Sequence, residues 1–271
     1  MTKITDKHYY LQKVDALNGI ELLSTGTTQP MLIRGVCEQT GEKSDYVIKY
    51  RRSPRMSVES SAFELIAAFI AKELELDVPE PALINVSPEF VDTLRGKEGF
   101  IFANNSIGLN FGCSFLGYGF MQLLQNQKLT ESQFEQAIKI FAFDILISNA
   151  DRNINKPNLL TNGEKIFIFD HELAFGFVRD IIKSPKPWII RDVDLTWIKS
   201  HFFYLILKGS EPNFDNFFES FEVLNDNFWD TVNTLIPDEW APIQLIEIRK
   251  YLCALVSNRN VFLQQLIKVL S

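Results

Sequence analysis

The chain is poor in the side chains that build metal clusters and disulfide frameworks. Cys37, Cys113 and Cys253 are its only cysteines, odd in number, far apart and without a Cys-x-x-Cys pair. That pattern argues against a structural zinc site and fits a reducing compartment. The histidines, His8, His171 and His201, are too scattered to form a metal cluster. No apolar run approaches the ~18–20 residues that a membrane span needs. Met1-Thr2-Lys3-Ile4-Thr5-Asp6-Lys7 holds no apolar signal region, so a cytoplasmic location without membrane association is expected. Basic residues are not in excess, and the net charge of −7 counts against broad nucleic-acid binding, which relies on basic surface. Lys49-Tyr50-Arg51-Arg52-Ser53-Pro54-Arg55 is a local basic stretch within that acidic whole. Internal repeats, low-complexity tracts and long Gly/Ser linkers are also missing.

What is present suffices for a sizeable fold. The 271 residues can form one large domain or two lobes with substantial cores. Hydrophobic content is an ordinary 46%, and 23 phenylalanines predict a Phe-rich core. The first part reads as strands with one helix. Met31–Val36 and Tyr46–Tyr50 are strand candidates around the turn-like Thr40–Asp45. Alternation puts Tyr46, Ile48 and Tyr50 on one face and Val47, Lys49 and Arg51 on the other. Residues 58–76 have helical periodicity at Phe63, Ile66, Ile70 and Leu74, with Ser57 as N-cap and Glu59 suited to the first turn. Glu64 lies off that stripe, among Ser60, Ser61, Ala67, Ala68 and Ala71, whose small side chains leave room for another element. Asp77-Val78-Pro79-Glu80-Pro81 ends the helix, and Ala82–Val86 follows as a strand. Phe100–Ala103 and Asn110–Leu116 are further strand candidates.

The second part reads as mainly helical. Thr130-x-x-Gln133 is a capping-box signature ahead of a buried helix running to about Ser148. A hairpin is expected between Leu159-Leu160 and Ile166–Phe169, around Thr161-Asn162-Gly163-Glu164. Residues 173–200 lack clear periodicity. Phe217–Leu235 and Ile243–Leu270 are the last helical blocks.

Between the buried helix and the end of the hairpin lie two aspartates. Asp151 opens an Asn-rich loop, Asn149-Ala150-Asp151-Arg152-Asn153-Ile154-Asn155-Lys156-Pro157-Asn158, and Asp170 ends the apolar run Ile166–Phe169. Phosphoryl transfer uses such a set: a carboxylate to orient the nucleophile, then an amide and a second carboxylate to hold magnesium. An ordinary turn is the competing account of the loop, since Asn and Asp are common turn residues.

Four stretches narrow the choice: Tyr46-Val47-Ile48-Lys49; Phe63-Glu64-Leu65-Ile66-Ala67 through Val78-Pro79-Glu80-Pro81; Phe143-Asp144 through Asn149-Ala150-Asp151-Arg152; and Phe169-Asp170-His171-Glu172. Gly108–Gly112 and Pro237-Asp238-Glu239-Trp240 add to them. In this order they resemble the HipA-like kinases, in particular the compact branch that has little beyond the kinase domain. The resemblance implies an α+β, two-lobed protein-kinase-like fold. A strand-rich N-lobe would cover 1–116 and a helical C-lobe 117–271.

It also implies roles and ligands, ATP and Mg²⁺ foremost. Lys49 matches the strand lysine that contacts ATP phosphates, and Glu64 the helix glutamate that holds it. Glu59 is the competitor for that place, but its first-turn position already has an explanation. Asp151 matches the catalytic aspartate and Asp170 the metal-binding aspartate. Asn158, directly before Leu159-Leu160, matches the metal-binding asparagine, with Asn155 as runner-up and Lys156 at the usual position of the amide. Asp170-His171-Glu172 replaces Asp-Phe-Gly, and Asn153 stands where many relatives have His. Ser24-Thr25-Gly26-Thr27-Thr28, with a single glycine, is either a phosphate cradle or a plain hairpin turn. If it is the cradle, the resemblance makes one of its hydroxyls a candidate autophosphorylation site. The expected acceptor is a Ser or Thr hydroxyl of a protein or of the chain itself, and an antitoxin-like protein is a candidate partner. A small-molecule or lipid kinase, and a nucleotide-binding pseudokinase serving as a regulatory module, are the alternatives.

Overall fold

Five strands near the N-terminus close into a barrel around an apolar interior. In the computed structural model, which describes residues 2–23, 28–240 and 244–271, these strands are β1 (Gln12–Leu22), β2 (Met31–Cys37), β3 (Lys43–Lys49), β4 (Pro81–Val86) and β5 (Gly108–Ser114). Their order around the barrel is β1-β2-β3-β5-β4. All neighbours are antiparallel except β1 and β4, whose parallel pairing of Gln12–Asp15 with Ala82–Asn85 closes the ring. Register shifts in β1 at Ala16/Asn18 and Gly19/Glu21 supply the bending that closure needs. Val14, Ile33, Tyr46, Ile48, Tyr50, Ile84 and Val86 fill the interior. Gly112 permits this packing, since a Cβ there would sit 2.1 Å from the Ile84 side chain and 2.8 Å from the Val47 carbonyl.

Helix α1 (Val58–Glu73) lies between β3 and β4 in sequence and is capped as its residues predict, with Ser57 Oγ accepting from the Ser60 N–H. It is buried from Ser60 to Glu73, well beyond a single stripe, so Glu64 and Lys72 are inside as well. Lys72 pairs there with Glu80 at 2.6 Å. Two short helices follow β4: α2 (Pro88–Thr93) and α3 (Phe100–Asn105). The second corrects the strand expected at Phe100–Ala103. Gly99, at φ 84°, turns the chain into a helix there, and Ala103 N–H donates to Gly99 O.

The remainder is mostly helical. A small sheet joins β6 (Met121–Gln122), β7 (Leu159–Thr161) and β8 (Ile166–Ile168). Helix α4 (Glu131–Leu146) begins with the expected reciprocal cap between Thr130 and Gln133. Downstream come α5 (Leu195–Ser200), α6 (Tyr204–Leu207), α7 (Asp215–Glu219), α8 (Asp226–Leu235), α9 (Gln244–Ser257) and α10 (Arg259–Leu270). The block at 217–235 is therefore broken, with Asn225 capping α8, and the block at 243–270 is broken at Asn258. A second core joins α1 to this part. It is rich in phenylalanine, and the Phe63 ring of α1 meets Phe175 edge-on at 5.5 Å between centroids. No helix among the described residues is long and apolar enough to cross a membrane.

Candidate active site

The loop after α4 is set by a polar cluster enclosed in the apolar core. Asp144, in the last turn of α4, receives Asn149 Nδ2 at 2.7 Å, Arg152 Nε at 2.5 Å and His201 Nε2 at 3.0 Å. All four side chains are buried. The His201 tautomer follows from its partners: Nδ1 accepts the Phe203 N–H, so Nε2 carries the proton given to Asp144. Burial outweighs the attraction of Asp144 and holds the His201 pKa below its ordinary value. For Asp144 the balance is opposite: burial would raise its pKa, but Arg152 and His201 hold it well below the usual carboxylate range. This arrangement places Asp151 and Arg152 in a loop with no regular backbone ladder, where side chains must satisfy the buried polar groups.

Arg152 extends the cluster towards the hairpin. Its Nη1 donates to Asn158 O at 2.6 Å, and its Nη2 lies 3.0 Å from His171 Nε2. An arginine only donates, so His171 Nε2 is the acceptor and the ring is neutral. Burial, reinforced by the Arg152 charge, lowers the His171 pKa to about 3. Sequence reasoning assigned no role to Asp144, Asn149, His171 or His201. A visible signal existed for Asp144, the one charged residue in the apolar run Ile140–Leu146.

Asn158 and Asp170 flank the open end of the β7–β8 hairpin. Phe169 N–H donates to Asn158 O at 3.3 Å, which brings the residue before β7 alongside the residue pair after β8. Both Asn158, at φ 49°, and Asp170, at φ 63°, have left-handed backbones. This is an ordinary choice for Asn and tolerable for Asp. The Asn158 side-chain amide has a buried nitrogen without a hydrogen-bond partner among the described residues. Asn155 is exposed, and its N–H is held by Asn153 Oδ1 at 2.9 Å.

Lys49, the last residue of β3, reaches into this region from the barrel wall. Its ammonium contacts both Glu64 Oε1 and Asp170 Oδ1. Burial works against the charged amine, but the Asp170 and Glu64 carboxylates outweigh it and raise the Lys49 pKa. The same pairing holds Asp170 below its ordinary value despite burial. Glu64 is held from its other side, where Oε2 accepts the His171 N–H at 2.9 Å. Glu59 faces Arg179 instead, at 3.1 Å. The ligand atoms of Glu64, Asp170 and Glu172 all lie within 4.8 Å of one another. Burial and the nearby Asp170 charge push the Glu172 carboxyl up to about 7. A hard, oxygen-rich donor set with incompletely partnered buried groups suits a small divalent cation.

Asp151 sits at the edge of the cluster, with Lys156 Nζ 3.3 Å from its Oδ2. Asn153 shapes the intervening turn, its Oδ1 accepting from the N–H groups of Asn155 and Lys156. Of the proposed phosphate loop, Ser24, Thr25, Gly26 and Thr27 lie outside the described residues, while Thr28 is buried. The structure thus gathers Lys49, Glu64 and Asp170 into direct contact and sets Asn158 beside them.

The sequence model for HipA-like kinases matches residues 20–256. No curated protein matches the chain. Among solved structures, the crystal structure of a Helicobacter pylori proinflammatory kinase, CtkA, matches at 13% sequence identity and a TM-score of 0.47. That match covers 90% of this chain and 95% of the other. With most of its length matched by the family, the chain belongs to the HipA-like kinases.

Proposed function

We propose that the protein is an ATP- and magnesium-dependent kinase that phosphorylates a Ser or Thr hydroxyl of a protein or of itself. The supporting observation is the contact of Lys49 with both Glu64 and Asp170, which ties the barrel wall, α1 and the segment after the hairpin to one point. In this reading residues 1–116 act as a nucleotide-binding lobe and 117–271 as a catalytic lobe. Lys49 neutralises ATP phosphate oxygens, and Glu64 keeps its ammonium from swinging away. Asn158 and Asp170 hold the metal, which neutralises phosphate charge when bound. Asp151 accepts a hydrogen bond from the acceptor hydroxyl, orients it towards the γ-phosphorus, and takes its proton as the new P–O bond forms and the bond to ADP breaks. Lys156 lies beside Asp151 and limits the repulsion between that carboxylate and the incoming phosphate.

Incubation with γ-labelled ATP and Mg²⁺, alone and with a cell lysate, tests this. Label on serine or threonine of this chain or of a lysate protein is expected. Label confined to a small molecule or lipid would move the acceptor to another class. Nucleotide binding with no label anywhere would make the chain a binding module.

A further inference from the structure

One carboxylate beside the proposed metal position forms no ion pair among the described residues. Glu172 is only 2% exposed, yet its Oε2 is fully enclosed with no hydrogen-bond partner, and no ion pair forms to the residue among the described residues. Among the described residues no side chain around it makes a direct ion pair with it. Lys49 is already engaged by Glu64 and Asp170. The ring of His171 is occupied by Arg152, and Lys156 faces Asp151. One ammonium therefore serves three clustered carboxylates, whose ligand atoms lie within 4.8 Å of one another. A buried carboxylate without donor or cation is costly and is ordinarily eliminated from a core.

A structural role does not account for it. A glutamate that packs through its stem would leave its oxygens in water or on a backbone N–H, and Glu172 does neither at Oε2. Its chain position is instructive. Asp170 has a left-handed backbone, and His171 is fixed at both its N–H, on Glu64, and its ring, on Arg152. Those restraints turn the following residue back towards Asp170 rather than out to solvent.

We propose that Glu172 is a direct ligand of the divalent cation, so that the metal position in this chain is built from two carboxylates, Asp170 and Glu172, together with Asn158. This rests on the kinase reading above and extends its metal site by a residue. Magnesium favours oxygen ligands and binds through one or two carboxylates plus phosphate and water. A second carboxylate offsets the part of the Asp170 charge that Lys49 neutralises. The chemical consequence is a site that retains a divalent cation with less help from the nucleotide phosphates.

Mn²⁺, whose free ion is counted by its electron paramagnetic resonance signal, tests the ligand set without any turnover. The full chain is titrated with and without ADP, alongside Glu172→Gln and Asp170→Asn. The expected result is a Mn²⁺ affinity about tenfold or more weaker in Glu172→Gln, comparable to the loss in Asp170→Asn. In the absence of metal, Glu172→Gln should melt at or above the wild-type temperature, because a carboxyl enclosed without a hydrogen-bond partner is replaced by a group of the same shape that never carries a charge. A purely structural glutamate would give the reverse: unchanged Mn²⁺ affinity and a lower melting temperature. Wild-type Mn²⁺ affinity in Glu172→Gln overturns the proposal while leaving the kinase reading intact. Failure of the wild-type chain to bind Mn²⁺ even with ADP overturns both. If Glu172→Gln does not fold, Glu172→Ala is titrated and read in the same way; collapse of both variants with metal absent would itself establish a structural role and overturn the proposal.

Discussion

Arg152 and Asp144 form an ion pair with both side chains wholly removed from solvent, at 2.5 Å between Nε and Oδ2. The pair joins the end of α4 to the loop that carries Asp151, and through Asn158 O to the start of β7. Breaking a buried pair from one side leaves the other charge stranded, at a cost of about 3–5 kcal/mol. Asp144→Asn should therefore lower stability by an amount in that range, measured as a shift in the urea midpoint at unchanged slope. Arg152→Lys should also destabilise, because an ammonium cannot reach Asp144, Asn158 O and His171 together. A change below about 1 kcal/mol in Asp144→Asn would mean that the pair is not the anchor of this loop.

Two buried histidines should penalise the fold in mild acid, before ordinary carboxylates titrate. His171 and His201 are held neutral by burial, with pKa values below the unfolded value of about 6.5. As pH falls through that value, the unfolded chain takes up protons that the native state refuses, so stability drops on acidification. Asp144 acts in the same direction lower down: its stabilisation is complete above the unfolded value of about 3.9 and is lost as pH falls towards its depressed folded value. Between pH 7.5 and pH 5 Glu172 opposes the histidines, because its carboxyl, pushed up to about 7, takes up a proton in the native state first. The histidine part is therefore read from His201→Gln, whose urea midpoint should rise relative to wild type as pH falls from 7.5 to 5. A difference between His201→Gln and wild type that holds steady over the interval would contradict the neutral assignment of His201.

Much of this site was legible locally, and the remainder was not, for physical reasons. The Ser57 cap, the small residues around Glu64 and the Thr130–Gln133 box are short-range signals, and α1 and α4 form where those signals put them. Asn158 was distinguishable from Asn155 because an apolar pair follows it, and a strand begins there. Phe100–Ala103 is different: a brief apolar run has no period of its own, and Gly99 with its left-handed backbone decides for a helix. In the Asp144–Arg152–His201–His171 cluster the first two lie close in sequence, but His171 and His201 were illegible because tertiary packing brings them in from farther along the chain. Charged residues read singly favour the surface, and only the fold reveals that these satisfy one another.

Asn158 and Asn155 make opposite predictions for metal binding. Asn158 lies beside Asp170 at the mouth of the hairpin, whereas Asn155 is exposed on the loop. Asn158→Ala should weaken Mn²⁺ binding in the presence of ADP by about tenfold or more, and Asn155→Ala should leave it within about twofold. Asn158→Gly separates ligand from backbone: glycine accepts the left-handed conformation, so a loss in that variant too assigns the effect to the missing amide. Weakening in Asn155→Ala alone would transfer the ligand role to Asn155.

Lys49 and Asp151 should divide nucleotide binding from chemistry. Lys49 contacts the carboxylates of Glu64 and Asp170 and, in the proposed function, the phosphates. Lys49→Met should thus weaken binding of a non-hydrolysable ATP analogue with Mg²⁺, and should also destabilise the fold by leaving the buried Glu64 and the half-buried Asp170 without their cation. Asp151 touches Lys156 rather than the Lys49 cluster, at 3.3 Å. Asp151→Asn keeps the shape but cannot take a proton, so phosphoryl transfer should fall by about 10²-fold or more, with analogue affinity within about twofold of wild type. Lys156→Ala supplies the control, since it frees Asp151 from its neighbour without removing the carboxylate. Its turnover should exceed that of Asp151→Asn. If Asp151→Asn instead loses nucleotide affinity and keeps its turnover at saturation, Asp151 grips the nucleotide, and the proton acceptor must be sought on another residue of the loop.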